Sequence, residues 1–152
     1  MTNLAFSHQV PIGAPSSTRR ARSGVALTAL PVLFLAFDGV MKLAAIAPVR
    51  EAFVRTGFPM SQAPVLGVLL LACVALHLVP RTSVLGAALL TAYLGGAVAT
   101  HLRLGDPTLS HTLFPVYLGV MLWGGLALRD ARVLALAPWR SPRNTHLAED
   151  VP

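Results

Sequence analysis

A chain of 152 residues, 55% hydrophobic and only 12% charged, has material for one membrane-embedded bundle and none for an additional soluble catalytic domain. Its formal charge of +6 does not argue for nucleic acid, because the cations sit at the ends of apolar runs, where they orient helices and meet anionic lipid head groups. The single Cys73 has no partner for an internal disulfide and reports nothing about redox compartment.

Residues 1–23 hold Pro11, Pro15, a Ser/Thr cluster and Arg19, Arg20 and Arg22. This composition cannot bury a core and is expected to form a flexible basic tail. A signal peptide is the rival reading, with Ala45-Ile46-Ala47 as the cleavage site, but Asp38 and Lys42 would then interrupt the approach to that site. Arg19-Arg20 also matches the paired arginines of an export signal, yet Ala21 and Arg22 follow where apolar residues belong.

Four apolar stretches follow, at residues 24–43, 64–79, 83–102 and 112–128. Each is near the roughly 20 residues that a helix needs to cross the hydrocarbon core. The expected fold class is all-α, a transmembrane four-helix bundle with short connections occupying residues 24–137. Between the first two spans, residues 48–57 read as a short amphipathic helix along the membrane surface, opened by Pro48 and capped by Gly57. Val49, Ala52 and Phe53 share one face, and Glu51 and Arg55 form an i,i+4 pair on another. Pro80-Arg81 leaves only a tight turn between the second and third spans, which makes them antiparallel neighbours. Gly105-Asp106-Pro107 interrupts the helix before the fourth span. A second amphipathic stretch is expected after Arg129, ending at Trp139, before a polar tail at residues 138–152.

An even number of spans puts both tails and the Arg81 turn on one side, with Arg19, Arg20, Arg22, Arg81, Arg129, Arg132, Arg140 and Arg143. The opposite side carries only Lys42, Arg50, Arg55 and Arg103. The positive-inside rule therefore places both termini in the cytoplasm. Lys42 is the sole lysine among the twelve Lys and Arg, an arginine bias that fits a GC-rich bacterial genome and hence a bacterial cytoplasmic (inner) membrane.

This topology gathers Asp38, Lys42, Glu51, His101, Arg103, Asp106 and His111 in or near the outer leaflet and leaves His77 near the inner boundary. A carboxylate several residues inside a spanning helix is costly unless paired, protonated or facing a wet cavity, and Lys42 lies one turn from Asp38. Two readings stay open: a structural ion pair reaching the interface, or a polar pocket in which Asp38 faces the histidines. Tyr93 and Ala97 lie at spacings of four before His101, and a stripe of Ala92, Gly96 and Thr100 would admit a close neighbouring helix. The candidate pocket comprises Asp38, Lys42, Tyr93, His101, Arg103, Asp106, His111 and Tyr117. Two His and a carboxylate make no recognised metal pattern, so no metal is expected. Haem between His101 and His111 would need a gap wide enough for a porphyrin. Cys73 and His77 share a helix face, where a Cys is ordinarily a small apolar residue.

The string Thr100-His101-Leu102-Arg103-Leu104-Gly105-Asp106-Pro107, then His111, Phe114-Pro115-Val116-Tyr117-Leu118-Gly119 and Trp123-Gly124-Gly125, resembles the DoxX-like membrane proteins. So do Phe37-Asp38-Gly39-Val40-Met41-Lys42, residues 53–59 and Pro80-Arg81-Thr82. The resemblance spans residues 32–136 and implies a compact four-helix membrane bundle, mostly bacterial, with no activity assigned to most members. It also implies a thin redox association, since the wider family is named after a small membrane subunit linked to quinone-dependent sulfur oxidation. Similar proteins often carry a glutamate where this chain has Leu70 and an aromatic residue where it has His77, so a mechanism needing that glutamate would not transfer.

No haem-attachment motif, iron-sulfur cysteine set, nucleotide loop or Ser-His-Asp order is present, and no catalytic residue or resident cofactor is identified. The expectation is a small membrane component that acts by binding, as an accessory or subunit of a larger membrane complex or as a homo-oligomer in the lipid bilayer. The alternative is a quinone-linked redox or proton-handling component whose pocket takes a quinone or a lipid with a polar head.

Overall fold

The computed structural model describes residues 16–130 and 133. The expected amphipathic stretch ending at Trp139, the polar tail and most of the N-terminal tail lie outside the described residues, as do Arg132, Arg140 and Arg143. Four long helices form the bundle: α1 (Ser16–Ala44), α3 (Ala63–Leu78), α4 (Ser83–Leu104) and α5 (Phe114–Arg129). A short helix, α2 (Ala47–Thr56), lies between the first two. Each long helix, with its flanking turn where it has one, contains a stretch long and apolar enough to cross a membrane.

The first helix begins at Ser16, ahead of the expected span and directly after Pro15. Nothing from Ser16 to Leu30 breaks a helix, and Arg19, Arg20 and Arg22 are exposed on it. Prolines mark most of the later helix starts, while α4 begins at Ser83 just after the Pro80-Arg81-Thr82 turn. Pro48, Pro64 and Pro115 occupy first-turn positions, where the missing N–H would have no helical partner anyway.

The helices form a ring in which α1 contacts α3 and α5, and α4 contacts α3 and α5. We call the end where α1 starts and α5 finishes the tail end, and the other the cap end. In lipid the hydrophobic effect gives helices little reason to associate, so close backbone approach must supply the packing. Glycines mark these approaches. A Cβ on Gly125 would stand 2.1 Å from Thr28 Oγ1, and one on Gly86 would stand 2.3 Å from the His77 nitrogen. A third approach joins α1 and α3 nearer the cap end, where a Cβ on Gly67 would meet the Gly39 carbonyl at 2.9 Å. Between them, Val32, Leu35, Leu70, Cys73, Leu90, Leu94, Leu118 and Leu122 form the buried core. Large apolar side chains such as Leu30, Leu33, Val68 and Val120 point outward, as a lipid-facing surface requires.

The tight turn between α3 and α4 is tied by its own side chains. Thr82 Oγ1 donates to the Leu76 carbonyl at 2.8 Å, and His77 Nδ1 donates to the Ser83 carbonyl at 3.1 Å. His77 is fully buried, and among the described residues its Nε2 has no hydrogen-bond partner; neither do Nε and Nη2 of Arg129.

Candidate functional site

A cavity of about 690 Å³ lies at the cap end. Its floor is the top of the core at Leu35, Leu94 and Leu118, its walls come from α1, α4 and the start of α5, and α2 lies across it. The turn into α2 is sharp: Ala45 adopts a left-handed conformation with φ of 48°, costing about 1–2 kcal/mol for an L-residue. At the other end of α2, Gly57 takes the left-handed cap, and Phe58 folds back so that its amide donates to the Phe53 carbonyl at 3.1 Å. Phe53 is thereby buried with its ring 6.3 Å from that of Phe58, and both rings line the cavity.

The polar groups enter this apolar space from two helices. On α1, Lys42 donates to Asp38 across one helical turn. Both line the cavity, so the carboxylate that faces this apolar space is paired. On α4, Tyr93, Ala97 and His101 line the opposite wall with Ala92, Gly96 and Thr100. The small stripe does not serve as a close helix contact as expected. A Cβ on Gly96 would meet nothing within 4 Å, because these residues border the cavity.

The rim is built by the end of α4. Gly105, at φ 68°, closes a left-handed cap in which its amide donates to the Leu102 carbonyl and the Asp106 amide donates to the His101 carbonyl, both at 3.1 Å. This cap brings the residue after the glycine against the residue four before it, here Asp106 against His101. His101 Nδ1 donates to Asp106 Oδ2 at 2.6 Å, and Arg55 Nη1 donates to Oδ1 at 2.8 Å. Arg55 thus pairs across the fold rather than with Glu51 on its own helix. Arg103 donates to the Thr56 carbonyl, a second tie between α4 and the end of α2. The hydrogen bond from His101, reinforced by Arg55, holds the Asp106 carboxyl below its ordinary pKa.

Of the eight candidate residues, Asp38, Lys42, Tyr93 and His101 line the cavity. Arg103 and Asp106 stand at its rim through the contacts above. The His101 and His111 rings are 6.1 Å apart in an edge arrangement, but His111 is exposed, bonds to Ser110 through Nδ1, and is not part of the lining. Tyr117 is 45% exposed and also stands outside it. Five residues between Pro107 and Leu113 form a π-helical turn, Thr108–Thr112, which rotates His111 outward before α5 begins. Sequence reasoning did not assign Arg55, Phe34, Phe53 or Thr100 to the site. Only Arg55 and Phe53 had a local signal, their place on the amphipathic α2. Among the described residues no group of three or more His, Cys, Asp or Glu is placed to hold a metal.

These features define a multi-pass, all-helical membrane protein with a cavity at the cap end of its bundle. The chain belongs to the DoxX-like family, whose sequence model matches residues 26–125. No curated protein and no solved structure matches the chain.

Proposed function

We propose that the protein acts by binding an amphipathic, lipid-soluble molecule, whose polar head enters the cap-end cavity and whose tail lies among the helices. The observation that carries this reading is the cavity of about 690 Å³, within the roughly 300–1,000 Å³ usual for small-molecule sites. Its combination of aromatic walls with a few convergent polar groups, Asp38, Lys42, Tyr93 and His101, is the pattern such sites use. Quinones and lipids with polar heads have this shape. On this reading the protein is a ligand-binding accessory component of the bacterial cytoplasmic membrane, alone or in a larger complex, with both termini cytoplasmic and the cavity in the outer leaflet. The cation distribution read from the sequence supports that orientation.

Purification in mild detergent, followed by an absorption spectrum and mass spectrometry of copurifying lipids and quinones, identifies the ligand. Titration with a redox-active quinone analogue is expected to saturate for the wild type and to weaken for His101→Ala. Equal, unsaturable partitioning into both proteins would sink the proposal.

A further inference from the structure

Helix α2 lies against the cavity but is joined to the bundle unevenly. Pro48, Val49, Ala52, Phe53, Arg55 and Thr56 line the space, while Arg50, Glu51 and Val54 are exposed and stand outside the lining. Phe53 is the one buried residue of this helix. Among the described residues, the side chains of 47–52 make no hydrogen bond or ion pair. Both polar ties to the bundle stand at the far end of α2, where Arg55 Nη1 donates to Asp106 Oδ1 at 2.8 Å and Arg103 donates to the Thr56 carbonyl. Asp106 is a fixed catch, because the Gly105 cap and the His101 ring hold it against the end of α4.

The backbone on either side supplies joints. Ala45 and Gly57 bracket α2, both left-handed, with φ of 48° and 75°. Glycine takes that conformation freely, whereas the Cβ of alanine crowds the following carbonyl. The Ala45 joint is therefore strained while α2 lies in this position, and such strain persists only where surrounding contacts impose it. Buried Phe53 and the two ties at the opposite end are those contacts. The Arg55 side chain is 52% exposed, so water can replace its bond to Asp106 and the tie can break and re-form at small cost.

We propose that α2 is a strap that opens and closes the cap-end cavity, pivoting at Ala45 and Gly57, with the Arg55–Asp106 and Arg103–Thr56 contacts as its latch. A few residues at the ends of an element suffice to absorb such a motion. Because α2 is tethered at both ends, it cannot swing clear; it rocks about the line joining its two joints, which lifts Phe53 away from the space beneath. Release of the latch lets Ala45 relax. The inference concerns how the cavity is reached and holds for any occupant, so it stands apart from the ligand-binding reading above.

Thiol labelling measures the opening without a ligand. Ala97, which lines the cavity wall, is replaced in Ala97→Cys within a full-length Cys73→Ala protein held in lipid nanodiscs, and reaction with a water-soluble, negatively charged methanethiosulfonate is timed. Arg50→Cys, on an exposed position of α2, is the control in the same background. When reclosing is fast, the labelling rate follows the population of the open state. Ala97→Cys is expected to react about tenfold more slowly than Arg50→Cys, or slower still, and adding Arg55→Ala should speed it about tenfold with no change at the control. The charge of the reagent works against that change, since loss of Arg55 weakens its attraction to the site. Arg55→Lys, which keeps a charge for Asp106, should stay near the parent rate, and Ala45→Gly should slow labelling several-fold because a glycine joint carries no strain. An Ala97→Cys rate equal to that of Arg50→Cys, or one that Arg55→Ala leaves unchanged in a folded protein, would overturn the strap. A rise as large in Arg55→Lys as in Arg55→Ala would overturn the latch, and labelling not slowed by Ala45→Gly would remove Ala45 as a pivot.

Discussion

The tail end of the bundle and the α4 wall of the cap-end cavity use small residues in opposite ways. At the tail end, Gly125 and Gly86 stand where even a methyl group would meet Thr28 Oγ1 at 2.1 Å or the His77 backbone at 2.3 Å. At the cap end, Gly96 meets nothing within 4 Å, and it and Ala92 border the cavity. The lesson is that a small side chain on a membrane helix records proximity only when something fills the space it leaves. Polar satisfaction runs the other way. The cap end pairs Asp38 with Lys42 and joins Arg55, Asp106 and His101, whereas His77 Nε2 and Arg129 Nε and Nη2 at the tail end have no partner among the described residues. Close helix approaches run from the tail end as far as Gly39 and Gly67, while the ion pairs of Asp38, Arg55 and His101 stand at the cap end.

The comparison breaks most readily at Gly125. Gly125→Val is expected to destabilise the bundle by about 3 kcal/mol or more, read as loss of the monodisperse peak and a lower melting temperature in detergent. A well-folded Gly125→Val protein would show that the α1–α5 approach is not tight. Asp38→Leu should cost about 2 kcal/mol, since it strips Lys42 of a charge-assisted hydrogen bond, while Arg50→Leu on exposed α2 should stay within about 0.5 kcal/mol. Adding Lys42→Leu to Asp38→Leu should recover much of the loss in the same melting assay. Gly96→Ala should instead stabilise α4, by up to about 1 kcal/mol, and a loss there would mean that the cap end is packed after all.

The smallest effect concerns acid. Asp106 has its pKa lowered on folding by His101 and Arg55, so its contribution to stability is present above the unfolded carboxylate value of about 3.9. That contribution is lost as pH falls through the lower, folded value. Wild type should therefore become easier to unfold between pH 5 and about 3 in a way that Asp106→Asn does not reproduce in full, measured as the difference between their melting temperatures.

The four spans were legible because a bilayer admits few alternatives to a helix of about 20 apolar residues. Asp38 and Lys42 were legible for a similar reason, since an i,i+4 spacing on a helix leaves little freedom. The His101–Asp106 contact was present in the sequence as the residues flanking a Gly105 cap, but a glycine read only as a helix breaker hides what it brings together. Arg55 was not legible: its partner lies 51 residues away, and Glu51 offered a plausible local one. Nor was the cavity, because Ala92, Gly96 and Thr100 carry the same pattern whether a helix or a space lies beside them.

The α3–α4 turn bears on how the chain is assembled. Its ties, from Thr82 to Leu76, from His77 to Ser83 and from Gly86 against the His77 backbone, all join residues close in sequence, and local contacts form first because they close short loops. That hairpin can be complete as soon as α4 has left the ribosome. The α1–α5 seam, by contrast, joins Gly24 to Gly125 and must wait for the last helix to be made. The domain therefore closes from the middle outward, and the cavity, which takes Phe114 and Leu118 from α5, cannot be complete before that last helix has been made.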